Sequence, residues 1–357
     1  LSTTDVKTEK SRKVREREAL EYPHTAPEAD GSVVQLADGL LWARMPMSGS
    51  LSHINVYLLE DHDGWWIVDT GLCSQEISNL WLKIAESVFS EKPLKAVICT
   101  HFHYDHAGQA RWLSEHFKVP VYMTHGEYFT MRVFFSRHQE LGGPDQYRYY
   151  QKAGLEDSLI KDIFRVCSED PFIIDGPSSF IRLSEGQTLN IGDRAWQIVI
   201  GNGHSPEHAC LYSEQDKLLI AGDQLLPTIS SNVLVTDIEP FGNPLACWMD
   251  SLDRLDGLHR ETLALPAHGL VFRNIHERTA QLRNHHVRQL DIIRKKMLRV
   301  TSATTYQVMG WLFRRQLSPM DQILAVGETL AHINWLIENK ELTLKTDENG
   351  VNQYSKI

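Results

Sequence analysis

Residues 100–108 read Thr-His-Phe-His-Tyr-Asp-His-Ala-Gly, and four of them, His101, His103, Asp105 and His106, are of types that commonly bind metals. They follow KAVICT (95–100), an apolar run with the length and composition of a short buried strand. A loop leaving such a strand aims alternate side chains into one cavity. Neutral imidazoles beside a carboxylate suit a borderline-soft ion such as zinc. With 17 histidines in 357 residues, three prescribed positions are filled by accident about once in 9,000 placements. Requiring Asp105 as well leaves a chance cluster of surface histidines a poor account.

Working outward, VVQLADGLLWARM and HINVYLLEDHDGWWIVDTG alternate strand-like runs with turn signals, and DHDG (61–64) predicts a hairpin turn. SQEISNLWLKIAESVF (74–89) predicts a helix with Leu80, Ile84 and Val88 along one face. After VPVYMTHGEYF (119–129), residues 130–180 read as a helical insertion carrying Phe134, Phe135, Tyr147, Tyr149 and Tyr150. Strand signals return in SFIRL, QTLNI and RAWQIVIG (179–201) and in CLYSEQDKLLIAGD (210–223). A strand–helix–strand order occurring twice predicts two similar halves packed face to face. Residues 275–298 read as one long helix. Residues 301–357 read as helices ending in a hairpin that turns at Asn349-Gly350, a winged-helix-like pattern. The expected organisation is a charged arm (1–25), a catalytic body (26–285) interrupted by the insertion (130–180), and a C-terminal domain (286–357).

The net charge of −10 disfavours non-specific binding to nucleic acid or an acidic membrane. Cys73, Cys99, Cys167, Cys210 and Cys247 are dispersed with no C-x-x-C pair, which fits free thiols in a reducing compartment. Residues 1–23 are charged and lack the apolar stretch of a secretory signal, and no run is apolar enough to span a membrane. The expectation is a cytoplasmic protein acting on a small molecule, without a membrane partner, for which a homodimer is a compatible assembly.

The motif H-x-H-x-D-H resembles the signature of the metallo-β-lactamase superfamily, and further motifs follow in that family's order. Asp69 in VDTG resembles the aspartate that supports the metal loop. His204 in GNGHSPEH resembles the third ligand of the first metal, Asp223 in IAGDQLL the bridging carboxylate, and His268 in LPAHG the last ligand of the second metal. The likeness spans about residues 33–270. It implies an α/β fold, a four-layer αβ/βα sandwich covering the body, with metals at one edge between two sheets. It implies two metals, zinc or alternatively manganese or iron. One is held by His101, His103 and His204, the other by Asp105, His106 and His268, with Asp223 bridging and room for a shared hydroxide. Asp105 is a ligand on this reading, and the resemblance also attaches a proton-handling role to it. Asp105 and Asp223 are therefore the catalytic candidates.

The full motif with a bridging aspartate is similar to glyoxalase II-like thioesterases, lactonases and nucleases. It departs from true β-lactamases, which the resemblance says lack that aspartate and use a cysteine at the second metal. The favoured activity is hydrolysis of an ester or thioester of an acyl-type small molecule. Alternatives are an endoribonuclease or other phosphodiesterase, helped by Arg294, Lys295, Lys296, Arg314 and Arg315, a lactonase, or more remotely a dehalogenating hydrolase. The aromatic insertion reads either as an apolar cap over the site or as packing. The tail resembles the terminal domain of beta-lactamase-like hydrolases, some of which cleave RNA. Glyoxalase II proper carries a glutathione-binding tail instead, whose basic residues the resemblance does not place in this chain, which speaks against a glutathione thioester. His208 reads as a supporting partner or a packed ring, and Tyr104 as a donor to substrate or as packing. His53 is a candidate for the cavity wall, and His285 and His286 read as solvated or core residues.

Overall fold

The computed structural model describes residues 11–12, 14–49, 51–138, 141–169 and 175–357. Val33–Ala37 (β1), Leu40–Pro46 (β2), His53–Asp61 (β3), Gly64–Val68 (β4), Leu94–Ile98 (β5), Val121–Thr124 (β6) and Ile181–Leu183 (β7) form one sheet in chain order. Its pairing is antiparallel up to β4 and parallel beyond. Thr188–Ile191 (β8), Arg194–Gly201 (β9), His208–Ser213 (β10), Leu218–Gly222 (β11) and Leu263–Pro266 (β12) form the second sheet in the order β12-β11-β10-β9-β8. Only β11 and β12 run parallel within it.

Because successive strand residues point to opposite faces, each central strand serves two cores. On β3, Tyr57 and Leu59 face β9 and β10 residues such as Trp196, Ile198, Ala209 and Leu211 in the layer between the sheets. Their neighbours Val56 and Leu58 join the outer layer with Gln75–Val88 (α1) and Ala110–Phe117, which contribute Ile77, Trp81, Ile84 and Leu113. On β10, Cys210 and Tyr212 point the other way, toward Pro244–Asp256 and Ile275–Met297. The order helix, sheet, sheet, helix is the expected four-layer sandwich.

The DHDG turn forms where the sequence predicts it. Asp61 pairs with Gly64, leaving His62 and Asp63 as a two-residue turn. Ser74 caps α1 by accepting from the Ile77 amide. The buried face of α1 is rotated from the expected one, with Ile77, Trp81 and Ile84 inside and Leu80 and Val88 at its margin. The cause is Trp81, whose indole donates to the Thr70 carbonyl at 2.8 Å.

Tyr104–Ala107 (α2) is a single turn, followed by Ala110–Phe117 (α3) and His125–His138 (α4). The insertion then supplies Pro144–Lys152 (α5) and Asp157–Glu169 (α6). Its tyrosines do not form a wall over the metal loops. Tyr147, Tyr149 and Tyr150 pack on the outer core of the second half, and the Tyr149 hydroxyl donates to the Val235 carbonyl at 2.8 Å. They bury there because that core is shared with Pro244–Asp256 (α7), Ile275–Met297 (α8), Thr305–Leu312 (α9) and Pro319–Glu338 (α10). Leu342–Thr346 (β13) and Asn352–Lys356 (β14) close the chain as a hairpin, with Tyr354 also bridged to Ala303. Helix α8 runs unbroken past residues 285 and 286, and the C-terminal elements extend the body's core. All five cysteines are free. Among the described residues no helix is long and apolar enough to cross a membrane.

Candidate metal centre

The candidate ligands follow the carboxyl ends of β5, β11 and β12 or lie in the β9–β10 connection, so both sheets contribute to one site. His101, His103, His204 and Asp223 each offer a donor atom within 4.8 Å of the others, and Asp105, His106 and His268 form a second such group. In the first, His101 Nε2 lies 2.8 Å from His103 Nδ1 and 3.2 Å from His204 Nε2. In the second, Asp105 Oδ2 is 3.3 Å from His268 Nε2 and 3.6 Å from His106 Nε2. Asp223 stands between them. Its Oδ2 is 3.5 Å from His204 Nε2, while its Oδ1 is 3.5 Å from both His106 Nε2 and His268 Nε2.

Three rings are held by the nitrogen that faces away. His106 Nδ1 donates to Asp69 at 2.8 Å, His204 Nδ1 to the Asn232 carbonyl at 2.8 Å, and His268 Nδ1 to the His53 carbonyl at 2.8 Å. Each contact assigns the hydrogen to Nδ1 and leaves the Nε2 lone pair for the cavity. Asp69 itself sits at φ 63°, a strained conformation for a non-glycine residue. It is fixed there by the Thr100 amide at 2.8 Å and the Thr100 hydroxyl at 2.9 Å.

His106 Nε2, His268 Nε2 and Asp223 Oδ1 are buried and have no hydrogen-bond partner. Three convergent acceptors without a donor are what a cation satisfies, so the residues present fit divalent metal ions. The electrostatics agree. Burial, aided by the neighbouring rings, holds His101 well below the usual imidazole range and pushes His103 down to about 3. Burial also opposes charge on His106, yet Asp105, Asp69 and Asp223 together raise it well above that range. Without a metal, protons take the place of the cation among these carboxylates.

Other residues build the frame. Asn55 and Tyr57, both buried on β3, donate to the Pro266 carbonyl at 2.7 and 2.8 Å and so hold the turn that presents His268. His53 lies in this frame too, its Nε2 accepting the Gly269 amide at 3.1 Å. His208 Nε2 accepts the Asp223 amide at 3.1 Å, so His208 supports the aspartate's backbone. A side chain at residue 222 is excluded, since a Cβ on Gly222 would lie 2.4 Å from that nitrogen. Tyr104 packs against the first half's outer core.

Glu127, which the sequence reading passes over, is fully buried on α4 and accepts from the Phe102 amide, the Ser205 hydroxyl and the Glu207 amide. Phe134 of the same helix stacks on Phe102 at 5.2 Å, and Phe102 meets the His103 ring at 4.6 Å. Of the insertion's aromatics, then, Phe134 reaches the metal loop while the tyrosines serve the distant core.

Residues 49–268 match the model of the metallo-beta-lactamase superfamily, and residues 294–357 match that of a metallo-beta-lactamase-like C-terminal domain. The crystal structure of a beta-lactamase domain protein from Burkholderia ambifaria is 36% identical and superposes with a TM-score of 0.87, covering 96% of this chain and 100% of that one. A probable metallo-hydrolase of Bacillus subtilis (strain 168), YqjP, is 25% identical over 86% of this chain and 95% of its own. The human acyl-coenzyme A thioesterase MBLAC2 is 26% identical over 53% of this chain and 64% of its own.

Proposed function

Since the chain belongs to the metallo-beta-lactamase superfamily, we propose that it is a dinuclear metal-dependent hydrolase acting on an ester or thioester of an acyl-type small molecule. The dinuclear reading rests on Asp223, whose two oxygens face different ligand groups. His101, His103 and His204 would hold one metal, Asp105, His106 and His268 the other, with Asp223 shared. Two divalent ions held there, zinc or alternatively manganese or iron, would supply an activated water near neutral pH and polarise the scissile carbonyl.

The chain's own residues prepare that reagent. Asp69 and the carbonyls of Asn232 and His53 hold hydrogens on the outward nitrogens of His106, His204 and His268, keeping the inward ones as ligands. Asp105, close to His268 and His106, is the carboxylate that would take a proton from the attacking water and return it to the leaving oxygen or sulfur as the acyl bond breaks.

An acyl substrate is supported by the thioesterase activity named for the human relative and by the apolar Phe102–Phe134 pair beside His103. The basic residues that would favour RNA are partly engaged. Arg294 forms a fork with Glu341 at 2.7 Å on both arms, and Arg315 does so with Asp321 at 2.9 Å. The test is a hydrolysis panel of acyl thioesters, simple esters, lactones, phosphodiesters and RNA with zinc-loaded protein. Thioesters or esters should give the highest kcat/KM. A higher value for RNA or a phosphodiester would overturn the substrate reading and leave the metal reading standing.

A further inference from the structure

A second group of imidazoles lies away from the metal loops, where α8 meets α10. His285 and His286 come from α8, Glu328 and His332 from α10. His285, His286 and Glu328 each offer a donor atom within 4.8 Å of the others, and His285 Nε2 is 3.9 Å from Glu328 Oε1. His286 is 1% exposed and His332 fully buried, with His286 Nδ1 3.2 Å from His332 Nε2.

The hydrogens in this group can be placed in sequence. His332 Nδ1 lies 2.7 Å from the Glu328 carbonyl oxygen, so that nitrogen carries its ring's hydrogen. His332 Nε2 is then the acceptor, and the hydrogen between the two rings belongs to His286 Nδ1. His286 Nε2 is left as a bare lone pair, buried with no hydrogen-bond partner. Protonation does not relieve it, because burial holds His286 well below the usual imidazole range and lowers His332 as well. A buried acceptor that nothing satisfies calls for an occupant.

We propose that His285, His286 and Glu328 form a further metal site, binding a divalent transition-metal ion such as zinc, with the free nitrogen of His286 as one ligand. Two imidazoles and a carboxylate are a zinc donor set and leave a fourth position for water. His332 supplies the outer contact that a metal-binding histidine ordinarily makes through its other nitrogen, fixing ring and tautomer together. With ligands on both helices, the ion joins the C-terminal domain to the long helix of the body. The assignment stands apart from the seven-residue centre and from its proposed chemistry.

His285 and Glu328 are partly exposed, at 28% and 17% of their side-chain surface, so changing them spares the core. The full chain, His285→Gln and Glu328→Gln are to be loaded with zinc, desalted and analysed for metal. Each variant should hold one ion fewer than the unsubstituted chain, turn over the panel's substrates unchanged, and gain less in Tm from added zinc. A zinc-edge anomalous map of the unsubstituted chain should place a peak between the three side chains, a readout that needs no variant to fold. Equal metal content in folded variants overturns the site, as does a map without that peak, where a water would fill the position.

Discussion

Glu127 accepts the Ser205 hydroxyl at 2.6 Å on one carboxylate oxygen and the Phe102 amide at 3.0 Å on the other. One buried carboxylate thus fastens the loop bearing His101 and His103 to the loop bearing His204. Glu127→Gln turns an amide NH2 toward one of those donors and should loosen the junction. The expected outcome is a loss of about 10–100-fold in zinc affinity and kcat, with KM little changed and an altered spectrum of the cobalt-substituted protein. Chelator competition checks this, and unchanged affinity would reduce Glu127 to packing.

Asp223→Ala should weaken metal binding in both groups and lower turnover by orders of magnitude on every substrate, because the loss lies in the shared reagent. Elemental analysis beside the hydrolysis panel tests it. Near-normal turnover with both metals bound would remove the bridging role and leave only the histidine groups.

Phe134 and Tyr149, grouped together in the sequence, should behave differently. Phe134→Ala removes the ring stacked on Phe102 and should change the ranking of acyl substrates with metal content intact. Tyr149→Ala removes core packing and the hydroxyl bond to Val235, and should lower unfolding free energy by about 1–3 kcal/mol without changing that ranking. Chemical denaturation and the same panel separate the two. If Phe134→Ala keeps the parent's substrate order, that ring has no part in selection.

Asp61 links the β3–β4 turn to the opposite sheet by accepting from the Gly192 amide at 3.0 Å, and it also accepts from Lys95 of its own sheet at 2.6 Å. Burial opposes its charge, but Lys95, the Gly192 and His62 amides and the Trp66 indole hold its carboxyl well below the usual range. With the folded pKa below the unfolded one, this stabilisation is complete above about 3.8 and is lost as the pH falls from there toward the folded value. Asp61→Asn should cost about 1–3 kcal/mol at neutral pH, and the gap to the parent should close in progressively stronger acid. Urea titrations across that range measure it, and a gap independent of pH would assign the loss to packing.

The parts of the molecule legible in the sequence are those encoded locally. His101, His103, Asp105 and His106 announce themselves by spacing within six positions, and His204, Asp223 and His268 by motif order. The alternation of β3 and the DHDG turn likewise follow from neighbouring residues. What escaped depends on distant chain segments. Nothing near Asn232 or His53 says that their carbonyls will fix His204 and His268. Asn55 does leave a signal, an amide inside the apolar run HINVYLL. The insertion's tyrosines leave cap and packing undecided in the sequence, because aromatic content reports burial without saying against which surface.

The distribution of the seven side chains along the chain also sets an order of events during synthesis. Four arrive within residues 101–106, but the fifth comes at 204 and the last at 268, from the opposite sheet. A nascent chain that has completed only the first sheet presents an incomplete set of acidic and imidazole groups. Such long-range closure forms late and slowly. Competence for metal therefore reports that both halves have been made and have docked, and a chain arrested before residue 268 carries the recognisable motif without the centre.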